Sequence, residues 1–407
     1  MGSFAAWALG AVLALAALGA PSSALAAEDL TDSACRAPLT ADLESVASTW
    51  KLAAGVRASV VTATRSGQGG SAAFPIGIVR LKPGVAQLAP MTSALPRVQA
   101  PDRYLRRDRV VAVTNADFFS SITSSRAFPR GTVVRDGEVV YFPGSGAPSL
   151  VVDERGQARA VHVVVDAHAV LGDDTVAIAA VNDPRAPANS SSLYTDAWRA
   201  SVPSGPHAAV ITSQDRVTRV VAAGKSVKVA KGESVIVLPA GRDIPEIGDR
   251  VTLSIVPRAK DGRPVTHATG HAGSIMRQGR IQAPCSAYER INRPRTTIAW
   301  DDDGVTWIIV AGAGQADGVD GVRMGGATKW QMADIARRLG ATWAVSMDGG
   351  GSSALLVKAP RAPRRLDNSA DAWLRPVPVA WAVLDAGRGG KLDSSTTEVV
   401  RRGELLR

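Results

Sequence analysis

The sequence predicts an α+β fold, a strand-rich mixed-sheet domain with few helices, and three observations predict it. Aromatic residues make up only 5% of the 407, while Val, Ala and Gly abound and Pro reaches 24, a composition suited to short strands joined by turns. Segments of alternating apolar and polar residues, bounded by Gly, Pro, Asn or Asp, recur about every ten residues. Only one stretch of the body of the chain has clear helical spacing, and it stands just before an unusual Asp-Gly-Gly-Gly-Ser-Ser turn. With 45% hydrophobic residues the chain can bury one large core or two ordinary ones, which excludes disorder for most of its length.

In chain order, residues 4–20 form an Ala- and Leu-rich apolar stretch, followed by Pro21-Ser22-Ser23 and Ala24-Leu25-Ala26, a small-x-small pattern of the kind signal peptidase cuts. Residues 1–26 are therefore expected to be a signal peptide and the protein secreted or extracytoplasmic, associated with the cell envelope. The Lys or Arg that usually precedes such a run is missing, which leaves an uncleaved anchor or a misplaced start codon as alternatives. No Cys stands at the cleavage site, which argues against a lipoprotein, and no later apolar run approaches the roughly 20 residues that span a bilayer. Cys35 and Cys285 are the only cysteines; in an exported protein they can form one bridge or remain two ordinary thiols.

Residues 28–385 read as one mixed domain without an internal repeat or an obvious linker. Strands are expected at Arg57 to Thr64, Pro75 to Leu81, Val110 to Asn115, Thr132 to Tyr141, Leu150 to Val152 and Ala160 to Val165, and again from Ala208 to Ile255. Asp136-Gly137 between Val133-Val134 and Val139-Val140 is a hairpin signal, because that dipeptide tolerates the positive backbone angles of a type I′ turn. Asp303-Gly304, between Thr297 to Trp300 and Val305 to Val310, is another. The segment from Asn182 to Ser204, rich in Asn, Pro, Ser and Ala, reads as an excursion from the sheet, suited to a loop over a site. Thr328 caps the one helix, in which Met332, Ile335, Ala336 and Leu339 share a face before Gly340 stops it. A strand from Trp343 to Met347 follows, and residues 386–407, charged and without apolar period, read as a mobile tail.

The formal charge of +10 and pI near 10 suggest an anionic partner such as an acidic polymer, a phosphate-bearing substrate or a membrane surface. Most of the excess is Arg scattered singly, and the runs Arg103 to Arg109 and Arg361 to Arg365 are interrupted, with no aromatic-flanked motif for stacking bases. Nucleic acid is not an expected partner, and a solvated basic surface is the plainer reading of the charge.

The stretch Val345-Ser346-Met347-Asp348-Gly349-Gly350-Gly351-Ser352-Ser353 wedges an acid and three glycines between two apolar strands. Strands do not tolerate such a run without a reason, and glycines let a backbone turn sharply, approach a ligand closely and aim successive amides as an anion nest. A plain tight turn, in which Asp348 caps its own amides, is the simpler alternative.

Asp348 to Ser353 resembles the Asp-Gly-Gly-Gly-Ser-Ser signature of the phosphodiester glycosidase family. Pro294-Arg295-Thr296-Thr297, the helix near Thr328, Asn115-Ala116-Asp117-Phe118-Phe119, Arg130-Gly131 to Gly137, and Asn368 with Arg375-Pro376 resemble further elements of that family in the same order. The likeness covers about residues 75–385. It implies an enzyme, a glycosidase that hydrolyses a sugar-1-phosphodiester or related glycosidic bond in cell-envelope or environmental glycans. A phosphate monoester is already a weak base and needs little protonation on leaving, so cations suffice. Arg295 and Arg375 are expected to clamp it, and Asp348 to stabilise positive charge at the anomeric carbon, attack it or activate water. Asp117 is the second candidate carboxylate. Asn115, Thr296, Gly349, Gly350, Ser352, Asn368 and His271 are expected to line the substrate site, with Phe118 and Phe119 packing a sugar face. His271 is equally an ordinary strand residue.

No cofactor or metal is expected. His162, His168, His207 and His267 lack ligand spacing with Cys or acids, and Asp301-Asp302-Asp303 lacks the alternation of a calcium loop and reads as a solvated hairpin tip. Neither Ser352 nor Ser353 sits in the strand-Ser-helix elbow of a serine hydrolase. Two other classes compete with the enzyme: a non-catalytic exported module that binds anionic cell-wall polymer, and a basic adhesin with no site.

Overall fold

The computed structural model describes residues 36, 39–41, 48–67, 70–202, 208–285, 292–313, 326–359, 364–367 and 374–385. The expected signal peptide, Cys35, Asn368 and the expected tail lie outside the described residues. Strands dominate, with two helices among the described residues, as composition and turn spacing predict.

Three large sheets carry the fold. The first runs, from one edge, through Thr40–Ala41, Val56–Gly67, Gly70–Leu81, Thr306–Ala311, Arg295–Trp300, Trp343–Ser346, Ser274–Arg277 and Arg280–Ile281, with Ser48–Ala53 also on Val56–Gly67. The second runs Arg364–Arg365, Leu355–Val357, Val110–Asn115, Val379–Asp385 and Ala86–Thr92. These two sheets face each other, and Ile298, Ile308, Val310, Val345 and Met347 of the first pack with Ala112, Leu355, Val357, Trp381 and Val383 of the second. Strands buried on both faces read as near-continuous apolar runs, which is why Thr306–Ala311 and Val379–Asp385 show little alternation.

Each outer face carries a helix. Lys329–Arg338 lays Met332, Ile335, Ala336 and then Leu339 on Ala299, Trp307 and Ile309. Thr328 caps it through a reciprocal pair of bonds, its hydroxyl accepting from Gln331 N while the Gln331 side chain accepts from Thr328 N. Gly340, at φ 97°, ends it. The short helix Pro101–Leu105, hidden in the sequence beside an interrupted basic run, packs Tyr104 and Leu105 on Val110, Val113, Ala380 and Ala382. At five residues it has no room for helical periodicity to show.

The third sheet, formed from the middle of the chain, curls around its own core of Val151, Val163, Ile178, Leu193, Val210 and Ile236. Its pairs are antiparallel except Asp174–Val181 with Ser191–Tyr194, so the expected excursion after Asn182 returns a strand to the sheet. The Asp136-Gly137 hairpin forms as its residues predict, at φ 52° and 80°. In the other hairpin only Gly304 turns left-handed, at φ 86°, and the turn begins at Asp301, whose N–H donates to Val305 O. Trp381, fully buried, ties the second sheet to the third by donating Nε1 to Thr269 Oγ1 at 3.0 Å. Truncating so large a side chain costs about 3–5 kcal/mol in typical cores. Cys285 is disulfide-bonded. No helix among the described residues is long and apolar enough to cross a membrane.

Candidate active site

The site lies where the two facing sheets meet at one end of their strands. Trp343–Ser346 leaves the first sheet, the chain turns through the three glycines, and it re-enters the second sheet as Leu355–Val357. Met347 N donates to Thr296 O and Asp348 N to Ala116 O, so the two residues after the strand are tied to opposite sheets. Gly350, at φ 64°, begins a single 3-10 turn and donates its N–H to Pro294 O at 2.8 Å. A side chain there would be strained by that backbone angle.

Asn115 sits beneath the turn as a brace. Its Nδ2 donates to Asp348 O at 2.8 Å, and its Oδ1 accepts from Thr296 Oγ1 at 2.6 Å and from Ala354 N at 3.2 Å. Both Asn115 and Thr296 are buried, so the expectation that they touch substrate gives way to a positioning role. The expected anion nest changes in the same way. Gly349 N donates to Asp348 Oδ1 at 2.8 Å and Gly350 N to Pro294 O, so both amides are spent inside the turn.

Asp348 retains 8% of its exposure. Burial pushes its carboxyl above the ordinary aspartate value; bonds from Ser352 and Gly349 N, and the charges of Arg375 and Arg130, pull the other way. Asp117, also 8% exposed, accepts from Phe118 N at 2.7 Å through Oδ1 and from Gly131 N at 2.6 Å through Oδ2. Its carboxyl is pushed up to about 7, first by burial and further by the negative charge of Asp348, with the two backbone bonds and Arg130 opposing. A Cβ on Gly270 would lie 2.2 Å from Asp117 Oδ2, and one on Gly131 at 2.9 Å. Those two glycines make the slot in which the second carboxylate sits.

Two cations address this acid pair. Arg375, expected from the sequence, is exposed and acts on Asp348. Arg130, which in the sequence only opens a hairpin, is exposed, acts on both acids and holds its guanidinium 5.9 Å from the Phe118 ring centroid. Arg295 is not among them. Thr296 faces the seam, so its neighbour on the strand faces the other way; Arg295 is buried there, with Nε donating to Ala327 O at 3.0 Å beside the helix. The expected pairing of Arg295 with Arg375 is therefore corrected in placement: Arg130, not Arg295, acts with Arg375 on the acids.

His271 follows Gly270 at the rim of the slot. Its Nδ1 accepts from Gly273 N at 2.9 Å, and burial pushes its pKa down to about 4, so it is neutral near pH 7 and poorly matched to shuttling protons there. Ser352 is buried and bonded to Asp348. Of the two phenylalanines, Phe118 is 37% exposed, whereas Phe119 packs toward Tyr104 and Val110. The loop after Asn182 reaches the neighbouring hairpin, where the Arg185 guanidinium bonds Asp183 and stacks 4.2 Å from the Phe128 ring centroid. Among the described residues no three His, Cys, Asp or Glu side chains converge as a metal site.

Residues 177–384 match the family model described as phosphodiester glycosidase. No curated protein matches the chain. Among solved structures, a hypothetical protein from Synechocystis superposes with a TM-score of 0.60 at 20% identity, over 80% of this chain and 62% of that one. A Burkholderia pseudomallei protein inferred to be exported superposes at 0.67 with 14% identity, over 86% and 97%. The zebrafish N-acetylglucosamine-1-phosphodiester alpha-N-acetylglucosaminidase catalytic domain, auto-inhibited by its pro-peptide, gives 0.45 at 12% identity, over 86% and 89%. This chain thus spans less than two thirds of the Synechocystis protein, and the first two likenesses establish a shared fold.

Proposed function

The chain belongs to the phosphodiester glycosidase family, and from that premise we propose that it cleaves the bond between a sugar's anomeric carbon and a phosphate, at the seam that holds Asp348 and Asp117. The observation that carries this reading is the pair itself: two carboxylates, each 8% exposed and each raised in pKa by burial, with Arg130 and Arg375 beside them. Burying two acids together is costly for a fold, and such pairs concentrate at sites that need them.

The chemistry follows from the charges. As the bond from anomeric carbon to phosphate oxygen breaks, its electrons leave with the phosphate monoester, and Arg130 and Arg375 offset the growing negative charge. Positive charge develops on the sugar ring, and ionised Asp348, polarised by Gly349 N and Ser352, stabilises it. Water then adds to the anomeric carbon and gives its proton to Asp117, whose value near 7 suits a base at neutral pH. Phe118, exposed under Arg130, offers an apolar surface to the sugar ring. Asn115 and Thr296 hold the turn in place rather than touch substrate.

We place this activity outside the cytoplasm, on cell-envelope or environmental glycans, because residues 4–26 have the pattern of an export signal and the net charge of +10 favours anionic glycans. The alternative, a module that only binds anionic polymer, loses support from the glycine amides already committed within the turn. The deciding experiment incubates the protein with a panel of nitrophenyl and nucleotide-linked sugar-1-phosphates. Asp348→Asn should lose turnover by about a thousandfold or more while still binding substrate. Equal turnover by the variant would remove Asp348 from the chemistry.

A further inference from the structure

At the far end of the same strands lies a second recess, a cavity of about 250 Å³ between the first and third sheets. Trp300 and Trp343, paired across adjacent antiparallel strands, line it with Asp301 and Asp302 of the hairpin and with Arg159 and Arg263. It stands about 13 to 17 Å from the acid turn, the length of the four to five strand residues between them. It is therefore a separate site.

Its chemistry is that of an uncharged, polyhydroxylated ring. Two acids and two arginines line it, and both arginines already face a carboxylate outside it: Arg159 Nε lies 3.1 Å from Asp261 Oδ2 and Arg263 Nη2 3.6 Å from Asp153 Oδ2. The two acids and two arginines of the lining itself cancel, and the outer carboxylates tip the surroundings negative, which disfavours an anionic ligand. Polar capacity comes from the Asp301 and Asp302 carboxylates and the Arg159 and Arg263 side chains that line it. The Trp343 indole is fixed in orientation, donating Nε1 to Asp302 Oδ1 at 3.1 Å, with the Arg277 guanidinium 6.0 Å from its ring centroid. Held aromatic rings beside a few convergent donors and acceptors suit a pyranose, whose faces are apolar and whose rim is all hydroxyl. The volume falls just under the roughly 300–1,000 Å³ of pockets that enclose drug-sized ligands, so it suits one ring.

We propose that this cavity is a second, non-catalytic saccharide site that takes one uncharged pyranose ring between Trp300, Trp343, Arg159 and the Asp301-Asp302 turn. The assignment does not rest on the catalytic reading.

The test follows the indole N–H resonances of the full chain by ¹⁵N NMR, with Trp300 and Trp343 assigned through their Phe variants. Methyl α-mannopyranoside, methyl α-glucopyranoside, N-acetylglucosamine and glucose 1-phosphate are titrated separately. At least one uncharged sugar should shift both resonances saturably, with a midpoint in the millimolar range. Asp302→Ala, on the exposed hairpin tip, should weaken that binding at least fivefold and leave turnover unchanged; Arg159→Met should weaken it similarly, and if that variant fails to fold, Asp302→Ala alone decides. Asp348→Asn should bind as the wild type does. Three results would overturn the proposal: no saturable shift with any uncharged sugar, a response to glucose 1-phosphate alone, or binding that survives Asp302→Ala and vanishes in Asp348→Asn.

Discussion

Replacing Asp117 with Asn separates what this carboxylate costs the fold from what it gives the reaction. Its carboxyl is pushed from 3.8 to about 7, roughly three units, chiefly by burial. At about 1.4 kcal/mol per unit, ionising it inside the folded protein at pH 8 costs about 4 kcal/mol relative to the unfolded chain. Because an acid's folded value is raised, its share of stability is full below about pH 4, declines as pH climbs to about 7 and is level above. At pH 5 most of the unfolded carboxyls are already ionised while the folded one is still protonated, and the cost is about 2 kcal/mol. Asn carries no charge and escapes this penalty. It pays elsewhere: its amide NH₂ must face Phe118 N or Gly131 N, a lost bond that costs about 1–3 kcal/mol at any pH. The variant should therefore be more stable than wild type at pH 8 by about 1–3 kcal/mol and close to it, or weaker, at pH 5. Denaturant titration followed by tryptophan fluorescence at the two pH values measures the difference. Turnover by wild type should rise through about pH 7, and the variant should lose that rise along with most activity. A stability difference that is the same at pH 5 and pH 8 would refute the buried ionisation on which the argument stands.

Other changes probe the neighbouring parts. Gly270→Ala would place a Cβ 2.2 Å from Asp117 Oδ2, so turnover should collapse even where circular dichroism shows the fold retained. Asn115→Ala removes three hydrogen bonds at the seam and should cost about 3 kcal/mol of stability in denaturant titration, with kcat falling more than KM rises. Arg130→Ala and Arg375→Ala should each lower kcat/KM for a sugar-1-phosphodiester by about 10- to 100-fold, and the loss should shrink for an uncharged aryl glycoside. Arg295→Lys should instead show its effect in melting temperature, since its Nε contact is to Ala327 O beside the helix.

Much of the fold was legible because its signals are local. Thr328, Gln331 and Gly340 announce the helix within a dozen residues, and Asp136-Gly137 announces its hairpin within two. Asp348 was legible for the same reason, since three glycines between apolar strands are anomalous on their face. Asp117 became a strong candidate only in three dimensions, because its slot needs Gly131 and Gly270, the latter some 150 residues on. Arg130 was hidden likewise: nothing in its own neighbourhood says that it faces two acids. The direction of Arg295 is legible in its strand. Adjacent residues of a strand point to opposite faces, so Arg295 and Thr296 could not both face one cleft. The anion nest failed for a subtler reason, because carbonyl and carboxylate acceptors inside the protein reach those amides before a ligand can.

The glycine turn is also the place where the chain steps from one facing sheet to the other, with Asn115 and Thr296 joined across the gap. Neither half of the sandwich owns the acid pair, so the pair cannot exist in a partly assembled molecule. The distance between the two acids is set by how the layers dock, and any slippage between layers is felt there first. Catalytic competence should accordingly appear only at the last step of refolding, after sheet formation is spectroscopically complete, and should disappear as soon as the layers part.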